Sequence, residues 1–319
     1  MSARVREDRV EIPVRPARAV ATEAATDLAK AIDAIEVWGV PVPGDSRLRE
    51  ALVVLEDAAS TGRFSPAQRG DDRGHRALQL AMDFADIART LPAARIADFR
   101  KDLTLAIAGP LDPGEDDGSP AQLQSQLMVR AALVKAGADP CLPTWSGKGG
   151  RKKPDLLLEN GLSQYALEVK RPRKWKNIVP RAADAARQIG GAGLEGGIVL
   201  DVTDCLDGIE PSSWDDALTR AAAEVSRLVF IQGRDYQPGY RHILAAIAFA
   251  RPAWIATERN GDTQVMVYNT SVSWAFGLSP GTLGHLRGHW LRQQVERGLN
   301  QLGFTSAEIA STSTESAQS

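Results

Sequence analysis

The sequence predicts a mixed α/β protein, a helical N-terminal lobe followed by a sheet flanked by helices. Three observations carry this expectation. Apolar residues recur at three- and four-residue spacing through an Ala-rich first third. A stretch rich in Pro, Gly, Asp and Ser then interrupts the chain. Beyond it, short apolar strand-like runs alternate with helical patterns. At 319 residues, with 43% hydrophobic and 24% charged side chains, the chain has room for about two domains and ordinary globular composition. Collagenous, coiled-coil and wholly disordered chains are thereby excluded. Lys and Arg number 38 against 40 Asp and Glu, a net charge of -2, so a nucleic-acid signal has to be local.

Residues 1–20 mix Arg, Pro and acids and are expected to form a loose arm. Over 21–109 the periodic sets Leu28, Ile32 and Ile35, then Leu48, Leu52 and Leu55, then Leu78, Met82 and Ala85 predict about four helices. This lobe carries no recognisable chemistry and suits contact with a partner protein. The run 110–120 (PLDPGEDDGSP) reads as a linker, and 121–304 as the second domain. A helix over 121–137 is stopped by Gly137. Strands at Asp155–Glu159 and Gln164–Lys170 flank Asn160-Gly161, a dipeptide whose tolerance of positive φ makes it a strong hairpin signal. A helix ending near Gln188 and the apolar strand GIVLDV come next. Then follow a helix over Trp214–Phe230, strands at His242–Phe249 and Thr263–Tyr268, and a helix over Leu283–Leu302. The Ser/Thr-rich tail 305–319 is expected to be disordered. Cys141 and Cys205 form no CxxC, no apolar run reaches the roughly 18 residues of a membrane span, and the N-terminus has no apolar signal core. The expectation is a cytoplasmic protein without membrane contact.

A turn centred on Asn160-Gly161 sets Glu159 opposite Leu162, Asp155 opposite Ala166 and Lys153 opposite Glu168. Side chains alternate with period two, so Asp155, Glu168 and Lys170 share one face while Leu167 and Val169 enter a core. Asp155 and Glu168 become diagonal neighbours, close enough to reach one cation between them. Two carboxylates on a half-buried face are costly without a counter-ion. A hard divalent cation, Mg2+ or Mn2+, meets that cost with oxygen ligands from Asp155 and Glu168, and would activate a bound water. Lys170 is then suited to orienting that water or neutralising charge on a phosphate.

Pro154-Asp155, twelve residues, then Glu168-Val169-Lys170 resembles the PD-(D/E)xK motif of restriction-endonuclease-like nucleases. The resemblance covers about residues 120–205 and includes the preceding helix, the hairpin, the following helix and the strand GIVLDV. It implies a mixed sheet carrying the motif on a hairpin, Mg2+-dependent hydrolysis of nucleic-acid phosphodiesters, DNA as the first candidate substrate, and bacterial roles such as phage defence, restriction or repair. The features do not separate DNA from RNA. Members often carry an acid on the preceding helix, where this chain has Gln126. Some use a glutamine on the following helix, for which Gln188 is the candidate by position. Many pair as homodimers to cut both strands, although no segment here marks an interface.

Local charge agrees with that substrate class. From Lys148 to Arg187 eleven Lys and Arg face four acids, a local net of +7 against -9 elsewhere. Lys148, Arg151, Lys152, Lys153, Arg171, Arg173, Lys174 and Lys176 are the candidate phosphate contacts, with Trp175 suited to stacking on a base. The GxGxxG match at Gly191–Gly196 follows a helix and precedes a strand, the reverse of a dinucleotide fingerprint. Two alternatives stay open: a nuclease-fold protein that binds nucleic acid without cleaving it, for which Gln126 is the clue, and an α/β protein-interaction module.

Overall fold

The computed structural model describes residues 14–64, 73–111, 119–142, 153–161, 163–207, 209–234, 240–257, 263–267, 269–275 and 283–302. The expected tail 305–319, most of the expected linker, the first thirteen residues of the expected arm, and Lys148, Arg151 and Lys152 lie outside them.

In chain order the elements are β1 (Arg15–Pro16), α1 (Ala17–Val37), α2 (Arg47–Thr61), α3 (Arg73–Thr90), α4 (Arg100–Ile107), α5 (Ser119–Lys135), β2 (Leu156–Asn160), β3 (Ser163–Lys170), α6 (Ile178–Ala192), β4 (Glu195–Asp201), α7 (Trp214–Arg234), β5 (Ile243–Ala250), β6 (Ala253–Thr257), β7 (Thr263–Val267), β8 (Thr270–Ala275) and α8 (Leu283–Gln301). The lobe forms helices where the periodicity predicts them. The Ser46 hydroxyl caps α2 by accepting from the Arg49 N–H, and Gly62, at φ 77°, ends it. α3 is buried on nearly every side from Ala77 to Ile87, which places Asp83 and Asp86 inside the protein.

The larger sheet runs β2-β3-β4-β5-β8. β3, β4 and β5 are parallel, joined by the crossover helices α6 and α7, while β2 and β8 are antiparallel edges. Alternate residues face opposite sides. Ala166, Ile198, Leu200, Ala246 and Ala248 meet α6 and α7. Leu167, Val169, Val199, Ile247 and Phe249 meet α5 and α8. Gly298 lets α8 close on α5, since a Cβ there would strike the Ala132 carbonyl.

One continuous core joins Ala17 of α1 to Leu302, because the apolar sides of the lobe helices and the α5–α8 side of the sheet cover each other. The second small sheet, β1-β7-β6, packs on α1 and α3, so the strand expected at Thr263–Tyr268 belongs with the lobe. Arg15–Pro16 and the start of α1 are accordingly ordered parts of the stretch expected to be loose.

The hairpin pairs Asn160 with Ser163, Glu159 with Gln164 and Leu157 with Ala166. Its connection therefore falls one residue later than expected. Asp155 does not face Ala166; it precedes β2, and continuing the register sets it opposite Glu168. Slipping each strand by one residue keeps the period-two faces, so both registers bury the same side chains and hydrophobic alternation could not choose. Gly161, at φ 61°, supplies the positive φ that the connection needs.

Candidate active site

Glu168 and Lys170 stand on the face of β3 shared with Ala166, and Asp155 reaches the same place from the start of β2. The Lys170 ammonium lies 2.7 Å from Glu168 Oε2 and 3.5 Å from Asp155 Oδ2. Glu168 is fully buried, whereas the Asp155 side chain keeps 18% of its exposure and opens the cluster to solvent. Asp155 Oδ2 also accepts the Val169 N–H at 2.9 Å, which fixes the carboxylate on β3. The three groups converge as the face argument requires, directly opposed rather than diagonal.

The cluster is under-compensated, with two carboxylates against one ammonium. Burial first, then the neighbouring Asp155 carboxylate, pushes Glu168 up to about 8 despite the opposing pull of Lys170. Glu168 Oε1 is buried and has no hydrogen-bond partner. An orphaned carboxylate oxygen beside a second carboxylate is a donor set that fits a hard divalent cation. Among the described residues no cluster of three or more His, Cys, Asp and Glu is arranged for a metal, and the two carboxylates here are Asp155 and Glu168. Asp102 on α4 lies within electrostatic reach of Asp155. Its carboxyl is raised by burial, an effect that Arg130 and Lys101 oppose and Asp155 reinforces.

The remaining sequence candidates divide. Gln126 and Gln188 are half-buried, and neither hydrogen-bonds to Asp155, Glu168 or Lys170 among the described residues. Lys153, Lys174 and Lys176 are exposed, and Arg173 is half-buried near Asp204. Trp175 packs partly buried against the α6–α7 core, because its ring finds apolar surface there. Arg171 is a correction: its side chain keeps 4% of its exposure, so its guanidinium is not presented at the surface. It donates to Asp204 at 2.9 and 2.6 Å and to Gln79 at 3.1 Å, and approaches Asp201 at 3.4 Å. Composition counts a guanidinium without saying whether it faces water, and two buried aspartates claimed this one.

Sequence reasoning also missed a residue. Gln122, one turn before Gln126 on α5, donates to the Val169 carbonyl at 2.5 Å and accepts the Arg171 N–H at 2.9 Å. The signal was present as a second glutamine at i-4, on the same helical face. Gln124 and Ser125 face inward instead, toward Asp83 and Asp201.

Comparison with protein-family models, curated proteins and solved structures finds no match to this chain.

Proposed function

We propose that the protein is a metal-dependent nuclease that hydrolyses phosphodiester bonds of DNA with Mg2+ or Mn2+. The observation that carries the reading is the Asp155–Glu168–Lys170 cluster, in which a buried carboxylate oxygen waits without a partner. A helix, the hairpin, a crossover helix and a parallel strand follow one another around it, an order that supports the reading. Exposed Lys153, Lys174 and Lys176 flank the hairpin in sequence and suit a phosphate backbone.

Asp155 and Glu168 would hold the cation, which supplies an activated water and polarises the phosphoryl oxygen. Asp155 is oriented for this by the Val169 N–H. Lys170, anchored on Glu168, holds its ammonium between the two carboxylates, where it can donate to the attacking water or meet charge developing on the phosphate. The test is cleavage of plasmid and linear DNA with Mg2+ or Mn2+, with EDTA and Lys170→Ala as controls. Cleavage lost in both controls supports the reading; wild-type protein that leaves both substrates intact sinks it.

One observation favours a second reading, a protein that binds nucleic acid without cutting it. Among the described residues only two carboxylates meet here, and the position expected to carry a further acid holds Gln126. Salt-dependent DNA binding without metal-dependent turnover would select that reading.

A further inference from the structure

We infer that Gln122 is a positioning residue for Lys170: its side-chain amide replaces a missing neighbouring strand and holds the backbone on either side of the lysine. The catalytic part of this inference rests on the nuclease reading; the structural part does not.

The ladder between β2 and β3 ends at Leu156 and Leu167. In an antiparallel pair alternate residues send both backbone groups to the same neighbour, so Val169 is next in line and, among the described residues, meets no strand there. Unpaired, its peptide groups and the following N–H would have to find other partners. Side chains provide them. Asp155 Oδ2 takes the Val169 N–H at 2.9 Å, Gln122 Nε2 donates to the Val169 carbonyl at 2.5 Å, and Gln122 Oε1 accepts the Arg171 N–H at 2.9 Å. A single carboxamide thus presents a donor and an acceptor to two backbone groups flanking Lys170, as a peptide unit would.

Both ends of this clamp are anchored. The Arg171 side chain is held by Asp204, Asp201 and Gln79, the last from the lobe helix α3. On α5, Gln124 donates to Asp83 and Ser125 to Asp201, so the helix that carries Gln122 is tied to the same interior. Lys170 has four rotatable side-chain bonds and one ammonium to aim at Glu168. A frayed strand end would let the whole side chain drift, and a shift of an ångström at a catalytic group is costly.

The experiment compares wild type, Gln122→Leu and Gln122→Glu by residue-resolved hydrogen exchange, by the NMR signal of the Lys170 ε-carbon, and by single-turnover plasmid cleavage with Mg2+. In Gln122→Leu we expect the Arg171 amide to exchange about tenfold faster, as loss of one hydrogen bond implies, while the β4 and β5 amides keep their protection. The Lys170 ε-carbon signal should move toward that of free lysine. Cleavage should fall by about 10- to 100-fold in kcat, with KM for DNA unchanged. Gln122→Glu keeps the acceptor for Arg171 but sets a carboxylate against the Val169 carbonyl, so Arg171 protection should survive while the rate is intermediate. Unchanged Arg171 exchange and an unmoved Lys170 signal in Gln122→Leu would overturn the inference, as would a raised KM with unchanged kcat, which would make Gln122 a DNA contact. Should wild type not cleave at all, the nuclease reading fails by itself, and the exchange and NMR measurements still decide the clamp.

Discussion

Two clusters of buried charge among the described residues are built on opposite terms. At the meeting of the lobe and the strand ends, Asp83, Asp86, Asp201 and Asp204 lie among the guanidiniums of Arg171 and Arg251, with Arg89 on Asp86 and Arg47 nearby. Arg251 donates to Asp83 at 2.8 Å and to Asp86 at 2.6 Å. Burial raises Asp204, but Arg171 more than reverses this and leaves its carboxyl below the usual range. At the β2–β3 cluster two carboxylates share one ammonium, one oxygen is orphaned, and Glu168 is raised to about 8. The first cluster balances charge with charge and joins elements. The second leaves a deficit that a ligand can fill, which is why we assign function to it and structure to the other.

The comparison is sharpened most by substitution at the deficient cluster. Glu168→Ala, which leaves Lys170 paired with Asp155, should lower Mg2+-dependent cleavage by about 1,000-fold with little loss of thermal stability, read by single-turnover kinetics beside melting curves. Equal loss of activity and stability would erase the distinction. At the balanced cluster the effects should reverse. Arg251→Met removes the cation from buried Asp83 and should destabilise the fold by about 3–5 kcal/mol in denaturant titration.

A smaller effect separates Asp83 from its partners. Burial raises its carboxyl to about 6, with Asp201 adding to the rise against Arg251, Gln124 and Arg171. The folded state therefore binds this proton more tightly than the unfolded chain does. Stability from Asp83 is present in acid and is lost as pH rises from about 4 to about 6, by a total on the order of 3 kcal/mol. The stability difference between wild type and Asp83→Asn, followed by urea titration across that window, should fall with rising pH and then level; a flat difference would mean that Arg251 fully compensates the charge. Gly298→Ala, which forces α8 off the Ala132 carbonyl without touching either cluster, should cost about 1–3 kcal/mol. Smallest is the response to metal: millimolar Mg2+ should raise the melting temperature of wild type by a few degrees and leave Glu168→Ala unmoved, the signature of a ligand that completes only the deficient cluster.

Much of this was legible beforehand. The lobe helices follow from spacing, and Leu28, Ile32, Ile35, Leu48 and Leu55 are all buried. The shared face of Asp155, Glu168 and Lys170 follows from period two, which survives a register slip. The slip was not legible, because it changes pairing without changing burial. Nor was the fate of Arg171 and Trp175, which sit in a basic run yet fold inward. Asp83 and Asp86 offered a signal that went unused: acids inside the apolar stretch LQLAMDFADIA require a buried partner.

By itself the sequence determined what neighbours in the chain can determine: helical stripes, a hairpin, and three ionisable groups on one side of it. Tertiary structure alone decided which charges are neutralised. Arg251 and Asp83 are 168 residues apart and Arg171 and Asp204 are 33 apart. No local pattern encodes such pairs, because only packing brings them together and removes the water that would otherwise screen them. The same packing leaves buried atoms without a partner in both clusters, but at the joint they belong to arginines and glutamine amides, while at the hairpin the orphan is a carboxylate oxygen of Glu168, the atom a cation can take.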